Sequence, residues 1–441
     1  MSGYKPYPKY KESGIEWLGA VPDHWDVKRI RFMTRMNPTK QEVSDLPKDT
    51  VCDFFPMDAV GEDGSLNTEN QRQISEVESG FTYFAEGDVT YAKITPCFEN
   101  GKGAVMQGLS QGFGFGTTEL TVIRPNAGVT DSKYLWYLTK SSSFRKLGES
   151  WMYGAGGQKR VPDNFCRDLP WSWASIKEQQ IIAKFLDREA SRIDTLIQEQ
   201  RELIELLKEK RQALISNAVT KGLNPNVKMK ESGVGWIGEI PAHWVIYSSR
   251  RLFSERKDRA FPDDIQLTAS QKYGIVTQKE FTDLEDQKVV QVILGADLLK
   301  HVEPNDFVIS MRSFQGGLEY SSIKGCISSA YVMLIPDARI FPLFFKHLFK
   351  SNAYIQALQS TSNLVRDGQA LRFSNFAMVS IPLPPYDEQK IIAMRVDREL
   401  QKIDALSTEA ESAIVLMQEH RVSLISEAVT GKIDVRGINV K

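Results

Sequence analysis

The sequence predicts an α+β protein: two mixed α/β domains built to one plan, joined by two long antiparallel coiled-coil helices in a pseudo-two-fold internal repeat. Three observations predict it. A phrase occurs twice, ESGIEWLGAVPDHW at 12–25 and ESGVGWIGEIPAHW at 231–244, and residues 9–25 match 228–244 at ten of seventeen positions with a constant offset of 219. A second pair, EQQIIAKFLDREASRID at 178–194 and EQKIIAMRVDRELQKID at 388–404, also shares ten of seventeen positions, at an offset of 210. Each member of that second pair then runs on in heptads for about forty residues, a length that favours a coiled-coil seam over a single amphipathic face. A period above 200 residues is too long for a solenoid and means two whole domains.

In order, the chain reads as a first domain at 1–175, a central long helix at 176–223, a second domain at 224–385, a C-terminal long helix at 386–433 and a tail at 434–441. In the first helix the expected seam is Leu186, Ile193, Leu207 and Leu214, with Ile182, Leu196 and Leu203 on the adjoining line. In the second it is Val396, Ile403, Met417 and Leu424, with Ile392 and Leu406 beside them. Ser175 and Glu178 form a capping-box pattern, Pro384 and Pro385 precede the second helix, and Gly222 and Gly431 stop the two runs. About forty residues at 1.5 Å each make a rod of roughly 60 Å, which needs a partner; the other copy is the nearest one.

Within the variable parts, GDVTYAKI at 87–94 and NDFVISMR at 305–312 read as equivalent strands, each Asp closing a turn. TTELTVIRP at 117–125 and SAYVMLIP at 329–336 read as further strands, followed by helical spacing at 133–148 and 342–358.

Bulk properties narrow the class. A chain of 441 residues with 41% hydrophobic and 25% charged residues is a folded protein of more than one core. No apolar run approaches the ~20 residues that cross a bilayer, and MSGYKPYPKY has no signal-peptide core, so the expected location is cytoplasmic with no membrane partner. Net charge −1 argues against coating nucleic acid by bulk electrostatics, though not against locally gathered positive charge. Four scattered cysteines and five scattered histidines have no metal-ligand spacing, so no metal is expected, and His24 and His243 read as one structural contact used twice.

Signatures of catalysis are missing. GAGGQK at 154–159 lacks the hydroxyl of a phosphate-binding loop, and LPPY at 383–386 lacks the hydrogen-bonding first residue with which amino-methyltransferases hold an amine. Asp263, Asp286 and Lys288 fit a loose metal-nuclease pattern that has no counterpart in the first repeat. Basic residues follow each phrase: Lys28, Arg29, Arg31 and Arg35, then Arg250, Arg251, Arg256, Lys257 and Arg259. Better suited to DNA are loops in which basic or amide side chains meet glycine and aromatics. These supply Lys93, Tyr153, Gln158, Lys159 and Arg160 in the first domain, and Arg312, Gln315, Arg366, Gln369 and Arg372 in the second. Arg or Lys can bridge the guanine acceptors, Gln can pair with adenine, and glycine lets the backbone approach phosphate.

The duplicated K-x-K-x-S-G-[IV]-x-W-[LI]-G-x-[VI]-P-x-H-W phrase, the long E-Q-x-I-I-A…D…I-D helix and the A-V-T ending together resemble the specificity subunit of a type I restriction-modification enzyme. The lead-in to the first helix, WASIKEQQIIA, departs from the family pattern by lacking the prolines of PPYDEQKIIA. The resemblance implies that each variable part is a target recognition domain reading half of a split, asymmetric site in double-stranded DNA. The helices would fix the unread spacer and help hold two modification subunits, which bind S-adenosylmethionine and methylate adenine at N6. Two restriction subunits using ATP and Mg would complete the enzyme, and the specificity chain would have no cofactor and no catalysis of its own. Asp187, Arg188, Asp397 and Arg398, repeated off the seam, are the residues expected to meet partners. The rival readings are a coiled-coil scaffold for proteins and the nuclease of Asp263, Asp286 and Lys288.

Overall fold

A computed structural model describes residues 4–155, 157–285, 298–361 and 371–438. The chain forms two compact units, Met1–Gln200 with Ser412–Lys441, and Arg201–Glu411. The consecutive segments expected from the sequence are therefore redistributed: each long helix divides between the units, and the tail joins the first domain, burying Ile433 and Val435 in its core.

The repeated phrase folds the same way twice. It is a tight hairpin, Tyr10–Glu12 against Ala20–Pro22 and Met229–Glu231 against Glu239–Pro241. Its glycines are required by backbone geometry, since Gly14, Gly19, Gly233 and Gly238 all sit at φ between 63° and 74°. The closing Trp25 and Trp244 are fully buried. Directly afterwards, strand β1 (Asp26–Arg29) would lead into the insert through β2 (Thr34–Met36), β3 (Val89–Ala92) and β4 (Leu120–Pro125), and the insert ends on β5 (Pro170–Trp173). The second unit repeats this with β6 (Val245–Ser248), β7 (Phe253–Arg256), β8 (Phe307–Ile309), β9 (Val332–Pro336) and β10 (Ser380–Leu383). Antiparallel pairing of β1 with β5, and of β6 with β10, brings the two ends of each insert together beside the start of a long helix.

That junction explains the second repeat. Gln179 is fully buried; its Nε2 donates to the carbonyls of Val129 (3.0 Å) and Ala174 (2.9 Å), and its Oε1 accepts from the Asp131 amide. Gln389 does the same with the carbonyls of Arg339 and Pro384 and the Phe341 amide. Glu178 accepts from Tyr7 Oη (2.9 Å) and Trp25 Nε1 (3.2 Å) and meets His24 Nε2 at 2.9 Å, while Glu388 meets His243 at 2.7 Å. Phrase and helix, 153 positions apart in the first copy, are thus halves of one hydrogen-bonded frame. The capping box expected at Ser175 is only half made: Ser175 Oγ accepts from the Glu178 amide, but the Glu178 carboxylate is committed to the phrase.

In each insert the central sheet has one order, β2–β4–β3 and β7–β9–β8. Asp88 accepts from the Ala85 amide (2.8 Å) and Asp306 from the Glu303 amide (2.9 Å), closing the expected turns. Both buried carboxylates then take an arginine, from different strands: Arg124 of β4 in the first insert, Arg256 of β7 in the second. Each helical stretch after the sheet breaks in two at a serine N-cap, Ser141 and Ser351. Unforeseen was a second sheet in the first domain, Gln71–Gln73, Val51–Phe55, Phe113–Gly116 and Thr82–Ala85, whose inner two strands run parallel.

The long helices are Ile176–Lys221 and Tyr386–Val429. They run antiparallel in each unit, marked by an ion pair between equivalent residues: Arg421 to Asp194 (3.2 Å) in the first, Arg211 to Asp404 in the second. Leu186, Ile193, Leu207, Val396, Ile403 and Leu424 are buried and Leu214 and Met417 half-buried, and Ile182 and Ile392 sink into the domain cores. Leu196, Leu203 and Leu406 are a correction: at 37%, 40% and 50% exposure they lie outside the seam. Its second line is instead Ala190, Ile197 and Ile204 on one helix and Leu400 and Ala428 on the other. The line at 183, 190, 197, 204, 211 and 218 carries five apolar residues, against three at 182, 189, 196, 203, 210 and 217, and its alanines let the backbones approach.

Candidate nucleic-acid interface

The frame grips the end of the central sheet where β4 finishes, since Gln179 binds the 129–131 segment that follows it. The opposite end, where β2 and β3 finish and β4 begins, is where the expected DNA-contacting residues of the first domain gather. The Val161 amide donates to the Lys93 carbonyl (2.8 Å), Thr95 to Lys159 (3.0 Å), and Tyr153 and Arg160 exchange amide hydrogen bonds of 3.1 and 2.9 Å. A short ladder therefore sets Lys93 beside the 153–160 loop. Tyr153 is 63% exposed, and Gln158 and Lys159 are exposed with it. Gly154 and Gly157, at φ 126° and 78°, let that loop turn back on itself.

Electrostatics separates the members of this group. Arg160 is bound bidentately by Glu119, at 2.7 to 3.1 Å, and its guanidinium holds the Glu119 carboxyl below the usual carboxylate range. Its charge is spent on orienting the loop. Lys159 and Gln158 have no such tie among the described residues and are the side chains free to meet a base edge.

In the second domain, Arg312 and Gln315 sit on the turn after β8, at the corresponding sheet end, and both are exposed. Arg372 is exposed just before the Phe373–Met378 helix, whose Asn375 side chain accepts from its amide at 3.0 Å. Arg366 and Gln369 lie outside the described residues, as do Asp286 and Lys288 of the nuclease pattern; Asp263 is exposed.

The basic residues that follow the first phrase are neutralised at home, whereas in the second copy, among the described residues, only Arg256 of the five is in an ion pair. Arg31 pairs with Asp168 (2.6 Å), Lys28 with Asp26 (2.9 Å), Arg35 with Glu42 (3.7 Å) and Arg256 with Asp306 (2.6 Å). Of the residues expected to meet partners, Asp187 accepts from Tyr137 Oη (2.9 Å) and Lys133, and Asp397 accepts from His347 Nε2 (2.9 Å). These aspartates pin each long helix to its own domain; the His347 hydrogen bond holds Asp397 below the ordinary carboxylate range. Arg188 packs over Phe185 and pairs with Glu189, and Arg398 is exposed. Sequence reasoning missed the exposed leucines instead: Leu196 and Leu406 occupy equivalent positions, as do Leu206 and Leu416, at 62% and 64% exposure.

No helix among the described residues is long and apolar enough to cross a membrane, and no three metal-ligating side chains converge there.

Residues 241–414 match the family model "Type I restriction modification DNA specificity domain". The chain is similar to the type I restriction enzyme EcoAI specificity subunit of Escherichia coli, 41% identical over 184 residues; the match covers 41% of this chain and spans only 30% of that relative's length. The putative type I restriction enzyme MjaX specificity subunit of Methanocaldococcus jannaschii is 23% identical over 441 residues, covering 97% of this chain and 98% of that one. A structure solved for complex assembly and conformational transition of the type I R-M system shares the fold, with TM-score 0.69 at 16% identity over 94% of this chain and 99% of that one. The matched residues hold the second copy of the frame around Gln389, and the same glutamine contacts recur at Gln179 in the first copy.

Proposed function

We propose that the chain is the DNA-reading subunit of a type I restriction-modification complex, each domain reading one half of a bipartite, asymmetric site. The observation that carries this reading is the repeated sheet end: in both domains the frame holds one end of the sheet, and exposed basic and amide side chains occupy the other. The antiparallel helices act as the spacer and dock two modification subunits. Equivalent exposed leucines, Leu196 with Leu406 and Leu206 with Leu416, suit two copies of one partner. Chemistry belongs to those partners, S-adenosylmethionine to the modification subunits and ATP with Mg to two restriction subunits, and this chain binds neither. Since its net charge is −1, the isolated chain binds DNA weakly and specific affinity appears with the modification subunit.

The test is co-expression with the neighbouring methyltransferase and mapping of methylated adenines in host DNA. A two-part motif is expected, and Gln158→Ala with Lys159→Ala changes its first half only, each lost base contact being worth about 1–3 kcal/mol of discrimination. One contiguous motif would contradict the proposal.

A further inference from the structure

Beside the 153–160 loop, at the same sheet end, the first domain has a cleft of about 240 Å³ lined by Asn37, Lys40, Phe81, Thr82, Tyr83 and Lys93. Its donors are held by long, weak contacts to a single carboxylate. Asn37 Nδ2 stands 3.4 Å from one oxygen of Asp163, and Thr121 Oγ1 and Lys93 Nζ stand 3.5 and 3.8 Å from the other. All three distances exceed the 2.7–3.2 Å of an ordinary hydrogen bond. Asp163 itself is 57% exposed on the first turn of a short helix, so water competes for it. Of the other nearby carboxylates, Glu119 is consumed by Arg160 and Glu42 by Arg124. Lys40 Nζ donates to the Glu78 carbonyl, and among the described residues it meets no carboxylate within 4.0 Å. Tyr83 Oη is tied to Glu42, which makes its ring a fixed wall.

Asn37 is held for this task. It adopts φ 41°, and its Oδ1 accepts from the Val122 amide at 3.0 Å, turning the amide nitrogen into the cleft. At the corresponding place in the second domain stands Arg256, locked to Asp306. In the first domain Arg124 makes that lock, which leaves Asn37 outside the ion pair.

We propose that this cleft seats one phosphodiester of the DNA backbone, Lys93 and Lys40 supplying charge and Asn37 a hydrogen bond. Asp163 keeps the donors aligned until the stronger anion displaces it. Two ammonium groups are point charges suited to a phosphate and carry no base-specific fork. The cleft positions the duplex; the exposed Gln158 and Lys159 read it. This inference rests on the DNA-reading function proposed above.

The experiment uses the full chain in complex with its methyltransferase, a duplex carrying the mapped site, and a second duplex with the first half-site scrambled, titrated over a salt series. Lys93→Ala is expected to weaken binding to both duplexes about 5–10-fold near 0.1 M salt and to lower the salt slope by about one. Lys93→Arg restores most of the affinity, Asp163→Asn tightens both duplexes about threefold, and the methylated motif stays the same in every variant. Unchanged affinity and slope in Lys93→Ala and Asp163→Asn would overturn the inference, as would an altered first half-motif, which makes Lys93 a base reader. A wild-type complex whose motif is contiguous, or which binds no DNA, fails at the underlying reading and takes this one with it.

Discussion

The two copies of the frame differ in how they are closed. Around Glu388, the end of one long helix and the next phrase are joined by seven residues of continuous chain, 222–228, and the carboxylate, 29% exposed, meets only His243 among the described residues. The indole nitrogen of Trp244 is buried there without a partner among the described residues. Around Glu178, 6% exposed, the same place is built from residues 4–10 and 432–438, two segments that no short loop joins. Asp434 donates its amide to the Lys5 carbonyl (2.8 Å), Lys432 Nζ bonds the carbonyls of Leu18 and Ala20 (3.0 and 2.6 Å), and Arg436 stacks over Tyr7. Tyr7 and Trp25 both donate to Glu178, and burial together with that carboxylate pushes the Tyr7 phenol well above its usual range, so it stays a donor. Where continuity is missing, side-chain contacts have multiplied to replace it.

Removing 432–441 is the strongest way to break this comparison. It strips Ile433 and Val435 from the first core, a loss of about 3 kcal/mol or more. The first unit should then melt about 10 °C lower and be cut by protease while the second resists. Equal loss in both units would show that the tail is not a local closure.

Glu178→Ala against Glu388→Ala is the next test. The first leaves two buried donors without an acceptor and is expected to cost about 2–4 kcal/mol, the second about 1 kcal/mol, read by denaturant unfolding. Equal effects would mean that the denser network adds nothing. Arg421→Ala and Arg211→Ala should by contrast be small and matched, about 0.5 kcal/mol each, since both are partly exposed copies of one interhelical pair.

The smallest effect concerns acid. The Arg436 guanidinium holds the Asp434 carboxyl below its ordinary range. A depressed carboxylate contributes stability that is full above its unfolded pKa, near 4, and is lost as pH falls through the lower folded value. The first unit of Asp434→Asn should therefore be less stable at neutral pH and lose less of its stability below pH 4 than wild type.

Much of this architecture was legible because it is written twice. Ten identities in seventeen, at two offsets, marked the frame before any contact was known, and the turn-closing Asp88 and Asp306 could be matched by strand pattern. The seam was half legible: Leu186 to Leu214 fixed one line, but leucine content drew the second line to Leu196 and Leu203, although counting apolar positions favours the side of Ala190 and Ile197. What the pattern could not give were partnerships between distant singletons. Nothing local announces that Arg160 is spent on Glu119, that Asp187 belongs to Tyr137, or that Asn37 faces Lys93 across Asp163. These depend on how an unrepeated insert folds, where a single sequence holds no second copy to compare.

The arginine locks limit how such inserts can be recombined. Asp88 draws its cation from the strand on its carboxyl side in sequence, Asp306 from the strand on its amino side. A hybrid crossing over between them would place two guanidiniums on one aspartate or strand the other with none, and an unpaired buried carboxylate costs about 3–5 kcal/mol. Viable exchange of one insert for the other should accordingly respect whole cassettes, with breakpoints in the duplicated frame and not among the strands.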